Sequence, residues 1–496
     1  MSGNEKQDKT IMKVILTSAG YYRIGAHWLN HHFNPEKRLG LKTIEDSLRQ
    51  AGFNNVLHFP GDPAVGLDLW RDRAVIIEEL KRTVAGENDA VFGLSTTSEE
   101  YFKFTALAEL IRQEFPQARI VAGGPHFKRE KLEGYRDSVE TALVSKLADS
   151  VVVGHAQPFI DLVINQHGQK DLIASPGLYY LGSAGEEVKG HGYGKFPQLR
   201  TVPYTYTEGS RLIGTIFDDS CENRCGFCAI PLSRSPLFAA GTVIDSLRPV
   251  FANLAPGQLS LYDSNPFETR RFDYYREVFE GLYDRERPVF KITFLDPSLI
   301  VSDDYRNKLG PFLLRHAFFK FFIGRDVVTE QSARVAGSNL RGKVKSQKQL
   351  DDEKEALAKF IRALKTVHTR APDIPPHKLF LSYIITPFED RESARAIADD
   401  METFLGLSEE GVKVSVRIFP LMPYPGTRVR RELVKWIEPE DYSFSSYGLA
   451  PGDPWKEEIG LSHELMSSLS GSYGKSWENQ SFLPFFRSII DKVFAG

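Results

Sequence analysis

The sequence predicts an α/β protein built in two successive parts, an N-terminal doubly wound domain and a second series of strands and helices, followed by an aromatic-rich helical region. Three observations predict this. Short apolar runs alternate with amphipathic stretches twice along the 496 residues, the pattern of parallel strands joined by crossover helices. A chain of this length exceeds what one hydrophobic core serves, so two or three domains are expected. Between the two alternating parts lie glycine-rich turn segments, Gly182-Ser-Ala-Gly-Glu-Glu187 and Gly190-His-Gly-Tyr-Gly194.

In the first part, Lys13–Ser18 reads as a strand, 41–51 as a helix stopped by Gly52, and 55–59 as a second strand. A helix over 69–83 follows, then a strand at 90–94, a helix at 99–115, strands at 119–122 and 150–153, and a helix from Gln157. Such an order predicts a Rossmann-like parallel sheet, whose ligands bind outside the carboxyl ends of the strands. Those ends nominate Ser95, Thr96 and Thr97, then Gly123, Gly124, Pro125 and His126, then Gly154 and His155. The glycines are expected to let the backbone approach a bulky ligand closely.

The second part shows six strand-like runs, 215–218, 258–262, 289–294, 319–323, 378–385 and 412–419, with helical spacing between them. The expected divisions are a first domain at 1–167, a linker at 168–209, a second domain at 210–429 and a helical C-terminal region at 430–496. In that last region Trp436, Tyr442, Tyr447, Trp455, Tyr473 and Trp477 read as core and lid packing.

Charge is balanced, 62 Lys plus Arg against 65 Asp plus Glu, a net of −3 that gives no reason to expect a nucleic-acid partner. No apolar run reaches a bilayer span and the N-terminal segment is polar rather than signal-like, so no membrane partner and a cytoplasmic location are expected. All three cysteines fall in one window, Cys221-Glu-Asn-Arg-Cys225-Gly-Phe-Cys228. An odd count in so short a span does not suit disulfides, and the nearest histidines, His191 and His316, are remote for a zinc site. Three thiolates hold three corners of a [4Fe–4S] cluster and leave one iron open.

This C-x3-C-x2-C window resembles that of the radical S-adenosylmethionine (SAM) superfamily, including Phe227 before the third cysteine, Asp218-Asp219-Ser220 before the loop and Ala229-Ile230-Pro231 after it. The resemblance implies a partial (β/α)6 barrel with its site on the loops after the strands, and SAM on the open iron. It implies SAM contacts from Asp263, Ser264 and Asn265 after the second strand, and from Gly324-Arg325-Asp326 after the fourth, with Arg325 pairing a carboxylate. Pro425-Gly426-Thr427 matches a common ending of the sixth strand.

A second resemblance covers the first part. The run from Leu39-Gly40-Leu41 to Gly52, with Ala122-Gly123-Gly124-Pro125-His126 and Val151-Val152-Val153-Gly154-His155, is similar to the cobalamin-binding domain that precedes many radical SAM cores. His155-Ala156-Gln157 departs from that family's usual acidic residues. No D-x-H-x-x-G follows the first strand, and His58-Phe59-Pro60-Gly61 mimics only its tail, so cobalamin is expected without histidine on cobalt and His27, His31 and His32 as solvated loop residues. Together the resemblances imply a cobalamin-dependent methyltransferase that uses a 5′-deoxyadenosyl radical, an external one-electron reductant and a small-molecule or peptide substrate. A radical SAM cyclisation or rearrangement enzyme, with or without cobalamin, and a non-enzymatic iron–sulfur carrier are the alternatives. Methylthiolation, which uses three further cysteines, is excluded by the count.

Overall fold

A computed structural model of the chain describes residues 12–22, 35–60, 67–84, 90–130, 136–165, 175–182, 187–207, 212–218, 221–228, 237–253, 258–283, 290–340, 342–370, 375–422, 424–433, 464–465, 468–469, 477–478 and 482–495. The chain divides at Leu199 and Arg200 into two compact units. In the first, β1 (Lys13–Ser18), α1 (Pro35–Gln50), β2 (Val56–His58), α2 (Arg73–Val84), β3 (Ala90–Ser95) and α3 (Tyr101–Glu114) follow in order. Then come β4 (Arg119–Gly123), α4 (Ser138–Val144), β5 (Ser150–Val152), α5 (Gln157–Asn165), β6 (Leu178–Leu181) and β7 (Val188–Gly190).

The sheet order is β2-β1-β3-β4-β5-β6-β7, with the first five strands parallel and β6 and β7 added as an antiparallel hairpin. Reversal of the winding direction at β1 makes the sheet doubly wound, as the alternation predicts. Val14, Ile15, Leu16 and Phe92 are fully buried, which is why these strands read as unbroken apolar runs. On α3, Phe104, Leu107, Ala108 and Ile111 recur at helical spacing and are buried, giving the helix one core face. Asp137 starts α4 by accepting from the amides of Val139 and Glu140.

The second unit holds β8 (Tyr204–Thr207), β9 (Leu212–Thr215), α6 (Ala240–Asn253), β10 (Gln258–Leu261), α7 (Phe272–Gly281), β11 (Phe290–Leu295), α8 (Asp303–Arg315) and β12 (Phe318–Asp326). It continues with α9 (Glu330–Ala336), the hairpin β13 (Asn339–Leu340) and β14 (Lys343–Val344), α10 (Gln347–Arg370), β15 (His377–Ile385), α11 (Arg391–Leu405), β16 (Val412–Pro420), α12 (Arg428–Leu433) and α13 (Phe482–Val493). Here the strand order is sequential, β9-β10-β11-β12-β15-β16, all parallel, with β8 antiparallel on the β9 edge. Right-handed crossovers in a sequential sheet keep the helices on one face. The contacts bear this out. Phe279 of α7 and Phe312 of α8 meet Phe318, Phe360 of α10 meets Phe321, and Asp400 of α11 accepts from Tyr383.

Several expectations change. The segment 168–209 is not a linker: β6 and β7 extend the first sheet and β8 the second, because Leu178-Tyr179-Tyr180-Leu181 has strand propensity and finds the free edge of β5. The first strand before the cysteines ends at Thr215 rather than at 218. Beyond it, the Phe217 amide donates to Asp263 Oδ1 at 2.7 Å. The N-terminal histidines His27, His31 and His32, and Trp436, Tyr442, Tyr447, Trp455 and Tyr473, lie outside the described residues. Trp477 is described; its backbone pairs with Val416 and its ring stacks on Phe482 at 4.6 Å. Among the described residues no helix is long and apolar enough to cross a membrane.

Two buried histidines give the second unit an acid sensitivity. His316 lies among Phe279, Tyr283 and Phe312, and His377 lies against Phe321. Burial, then Lys291 and Arg315 for His316 and His368 for His377, lowers both from 6.5 to about 4. Between those values the unfolded chain binds protons that the folded chain excludes, so stability is full above the unfolded value and is lost as pH falls towards 4. Urea midpoints are expected to drop between about pH 7 and about pH 5, and the double variant His316→Phe, His377→Phe to flatten that slope. An equally steep slope in the double variant would assign the effect to other groups.

Candidate functional site

Cys221, Cys225 and Cys228 lie on the loop after β9, each partly buried. A left-handed residue, Arg224 at φ 54°, bends the loop between the first two. Its seat comes from residues far along the chain. The Gly226 amide donates to Gly337 O at 2.6 Å, Gly342 N donates to Asn223 O at 3.1 Å, and Val429 N donates to Gly226 O at 3.0 Å. A Cβ on Gly226 would meet Ala336 O and Gly337 Cα at 3.2 Å, a tight fit that would need a small shift of the backbone facing the loop. Phe227 packs against the cluster of Val327, Ala333, Ala336, Leu350, Leu421 and Val429, and anchors the loop from beneath.

The sulfurs meet backbone donors: Asn223 N to Cys221 Sγ and Asn339 N to Cys225 Sγ, both at 3.5 Å. Asn339 Nδ2 also donates to Arg224 O at 2.6 Å. Burial, with Asp296, Cys228 and Glu268 adding to it, pushes the Cys221 thiol up to about 12. Burial and then Asp326 raise Cys225 as well. Thiols in such surroundings stay protonated unless a cation compensates the thiolate, so metal binding here releases protons. Among the described residues no three His, Cys, Asp or Glu side chains meet at the spacing of a single ion. A cubane takes each thiolate on a different iron, and three cysteines on one bent loop with amide donors to sulfur suit it.

Asp263, Ser264 and Asn265 follow β10 as expected but do different things. Asp263 is buried and accepts from Phe217 N and from the Tyr275 hydroxyl, which makes it a brace for the loop. Ser264 is partly exposed. Asn265 is 5 % exposed and lines a cavity of about 500 Å3, and its Oδ1 has no hydrogen-bond partner among the described residues. The same cavity is lined by Glu222 and Asn223 of the cysteine loop, by Glu268, and by Asp296, which caps the turn after β11. Asn223 Nδ2 donates to Asp296.

Arg325 and Asp326 separate at the end of β12. The register with β15 slips between Gly324 and Asp326, an irregularity that sets the two neighbours apart, and Arg325 faces the helices. Its guanidinium is held by Asp400 at 3.1 and 3.3 Å, with Glu353 at 3.7 Å. Lys345 completes the buried group at 2.9 Å from Glu353. Arg325 is therefore a structural charge, not a residue of the open rim. Asp326, in left-handed conformation at φ 50°, turns back over Gly324. Burial raises it to about 6 against the lowering effect of Lys345.

In the first unit, a cavity of about 220 Å3 opens between α1 and the carboxyl ends of β3, β4 and β5. Ser95, Gly123, Gly124, Pro125, Gly154 and His155 line it together with Gly40, Thr43 and Phe159. Thr96, Thr97 and His126 do not. Thr96 Oγ1 donates to Thr97 O, Thr97 Oγ1 donates to Glu100, and the buried His126 ring stacks on Tyr101 at 4.3 Å. The glycines also have internal reasons. A Cβ on Gly124 would meet Thr96 O at 2.4 Å, and one on Gly154 would meet the Tyr193 ring at 2.6 Å, both at positive φ. His58 Nε2 lies 3.1 Å from a carboxylate oxygen of Glu45 on α1.

No protein-family model and no curated protein sequence matches the chain. Solved structures do. The chain is similar to the radical S-adenosylmethionine methyltransferase TsrM from Kitasatospora setae with cobalamin and a [4Fe–4S] cluster bound, at 14 % identity and TM-score 0.59 over 98 % of this chain and 99 % of that one. With tryptophan substrate and the SAM analogue aza-SAM bound, TsrM matches at 15 % identity and TM-score 0.59, covering 86 % and 76 %. The cobalamin-dependent S-adenosylmethionine radical enzyme OxsB, with aqua-cobalamin and S-adenosylmethionine bound, matches at 13 % and TM-score 0.55 over 88 % of this chain. The match spans just over half of OxsB, 56 % of its length. At these identities the likeness is one of fold.

The buried pair Lys345–Glu353 predicts a coupling between folding and the cysteine loop. Lys345→Met strands a buried carboxylate and is expected to lower stability by about 3 kcal/mol and, through β14 and β13, to reduce retained iron. Lys348→Met removes an exposed, solvent-screened pair with Asp352 and is expected to leave the unfolding midpoint close to that of the wild type. Denaturant unfolding and iron analysis of the two variants check this, and equal effects would remove the buried network from the account.

Proposed function

We propose that the chain is a cobalamin-dependent radical SAM enzyme, a methyltransferase acting on an unactivated carbon of a small-molecule or peptide substrate, supplied with electrons by an external one-electron reductant. The second unit on this reading is a partial (β/α)6 barrel. One observation carries the reading: the chain's only three cysteines sit on a single loop after the first of six sequential parallel strands, beside a polar cavity at the strand ends. The fold shared with TsrM and OxsB supports it, and so does the cavity in the doubly wound unit.

Each residue then has a task. Cys221, Cys225 and Cys228 would hold three irons of a [4Fe–4S] cluster, and the amides of Asn223 and Asn339 would draw charge from the sulfurs and tune its potential. Asn265 Oδ1, which meets no donor among the described residues, suits the ammonium of SAM, with Ser264 and Asp326 beside the same strand ends. When bound, the cluster supplies the electron that cleaves SAM to a 5′-deoxyadenosyl radical, and cobalamin supplies a methyl carrier. The first-unit cavity is too small for a corrin and suits a flat end of the cofactor, between Gly40 and the turns at Ser95, Gly123 and Gly154. Histidine on cobalt is not part of the proposal, since His58 is held by Glu45.

The products test the reaction. With reductant and substrate, anaerobic turnover is expected to yield both S-adenosylhomocysteine and 5′-deoxyadenosine, and Cys221→Ala, Cys225→Ala or Cys228→Ala to abolish the second, since no other cysteine exists to substitute. Formation of 5′-deoxyadenosine alone would favour cyclisation or rearrangement.

Gly40 tests the cofactor cavity. A Cβ there meets nothing within 4 Å, so a side chain can start from this position, and Gly40→Phe adds bulk at the cavity. The helix is expected to gain a few tenths of a kcal/mol, on the order of 0.5, while hydroxocobalamin binding, read by absorbance after gel filtration, is lost. Wild-type binding by this variant would put the cofactor elsewhere.

A further inference from the structure

The cysteine loop divides two kinds of charge. Glu222 and Asn223 line the polar cavity, with Glu268, Asp296, Asp352 and Glu353 around it. Four cations stand about the rest of the loop, and none of them lines that cavity. Arg224, between the first two cysteines, is exposed. A Cβ on Gly342 would lie 3.7 Å from Arg224 Cδ, so the tip of the β13–β14 hairpin is beside it, and the next residue, Lys343, is exposed too. Arg428, at the start of α12, reaches back over the loop: its Nε would lie 3.1 Å from a Cβ on Gly226, the neighbour of Cys225, and its Nη2 donates to Arg334 O at 3.3 Å. Arg334 itself, in the last turn of α9, has a side chain 72 % exposed.

Along α9, the hairpin strands and α12 the carboxylates are Glu330 and Glu432, set at helical spacing from Arg334 and Arg428. Two carboxylates do not balance four cations, and exposed pairs of this kind are weak and screened. The whole chain, by contrast, carries a net −3. An acidic partner is therefore repelled by the chain at large and drawn to this patch, which fixes where it lands and how it is turned. The patch also stands beside the cysteines themselves. Arg224 directly precedes Cys225 in the chain, so a partner seated on that side chain comes close to a sulfur. Electron transfer needs such a short gap.

We propose that this patch is the docking surface for the external one-electron reductant, and that the reductant is an acidic carrier protein seated on Arg224, Lys343, Arg334 and Arg428. In the contact the carrier is oxidised by one electron and the cluster is reduced by one, with no bond made or broken. The cavity side of the loop is left to the ligands that the reaction consumes. The assignment rests on the radical reading for what the electron does, though not for the binding of the carrier.

The test uses the intact protein, purified anaerobically with its cluster, and a flavodoxin as the acidic one-electron carrier. Cytochrome c serves as a basic carrier, a single-stranded oligonucleotide as a polyanion without a redox centre, and reduced methyl viologen as a small cationic donor. Flavodoxin binding, read by flavin fluorescence, is expected to weaken by about tenfold or more as salt rises from about 0.1 M to about 1 M, where the screening length falls from about 10 Å to about 3 Å. Lys343→Glu and Arg334→Glu are each expected to weaken it about tenfold at the lower salt. Both are also expected to slow bleaching of the cluster's absorbance by reduced flavodoxin in the same proportion, and not to slow bleaching by methyl viologen. Lys359→Glu, an equal charge reversal far along α10, is expected to leave both readings near the wild type. Salt-independent binding, tighter binding of cytochrome c or of the oligonucleotide, or equal effects of Lys343→Glu and Lys359→Glu overturns the proposal. The wild-type salt series stands even if a variant fails to fold. SAM cleavage driven by methyl viologen in the same preparation separates the two readings: cleavage without salt-sensitive flavodoxin binding keeps the radical reaction and refutes the docking surface, and such binding without cleavage does the reverse.

Discussion

Everything at the functional end of the second unit depends on a set of charges taken out of water together. Lys345, Glu353, Arg325 and Asp400 are each at most 3 % exposed. Any one of them alone would carry a desolvation cost of several kcal/mol. As a group they compensate: Lys345 with Glu353, Arg325 with Asp400, and the Tyr383 hydroxyl donating to Asp400 at 3.0 Å. The group joins β12, β15, α10 and α11 to the short hairpin of β13 and β14. That hairpin begins with Asn339, whose amide meets Cys225 Sγ and whose side chain meets Arg224 O. The position of a cysteine is thereby tied to ion pairs that never touch it.

The two units show how one repeated strand–helix pattern gives different binding surfaces. In the first, the order 2-1-3-4-5 sends helices to both faces, so only the strand ends remain for a ligand, and the cavity lies there beside α1. In the second, the winding never reverses, so the described crossover helices lie on one face and the other carries Phe294, Phe322, Phe380, Lys320 and Arg417. Strand alternation sorts those residues from Phe321, Ile323 and Arg325 on the helix side.

Much of this was legible in the sequence, and the failures have physical causes. Apolar runs located the parallel strands because buried strands have no polar side to break the run. The cysteine window was legible because its chemistry is local. Arg325 was misread because a sequence does not say which face of a strand a charge occupies, and its partner Asp400 lies 75 residues away. Gly124 and Gly154 were rightly singled out for their backbone, but the close approach they permit is to Thr96 and Tyr193, from the same unit. The hairpin Asn339–Leu340 and Lys343–Val344 was missed because two-residue strands leave no periodicity to read. Asp296 carried a usable signal, an aspartate followed by proline at a strand end, which marks a cap.

The seat of the cysteine loop also sets an order of events during synthesis. Cys221 to Cys228 leave the ribosome well before Gly337, Asn339, Gly342 and Val429, all of which bond to that loop. The last of these follows Cys228 by about 200 residues, a delay on the order of tens of seconds at ordinary translation rates. Through that interval the three thiols belong to an unseated loop. Until then the sulfurs have neither their amide donors nor their fixed spacing. The seat of the cysteine loop is therefore completed only once residues near the C-terminal end of the second sheet have been made.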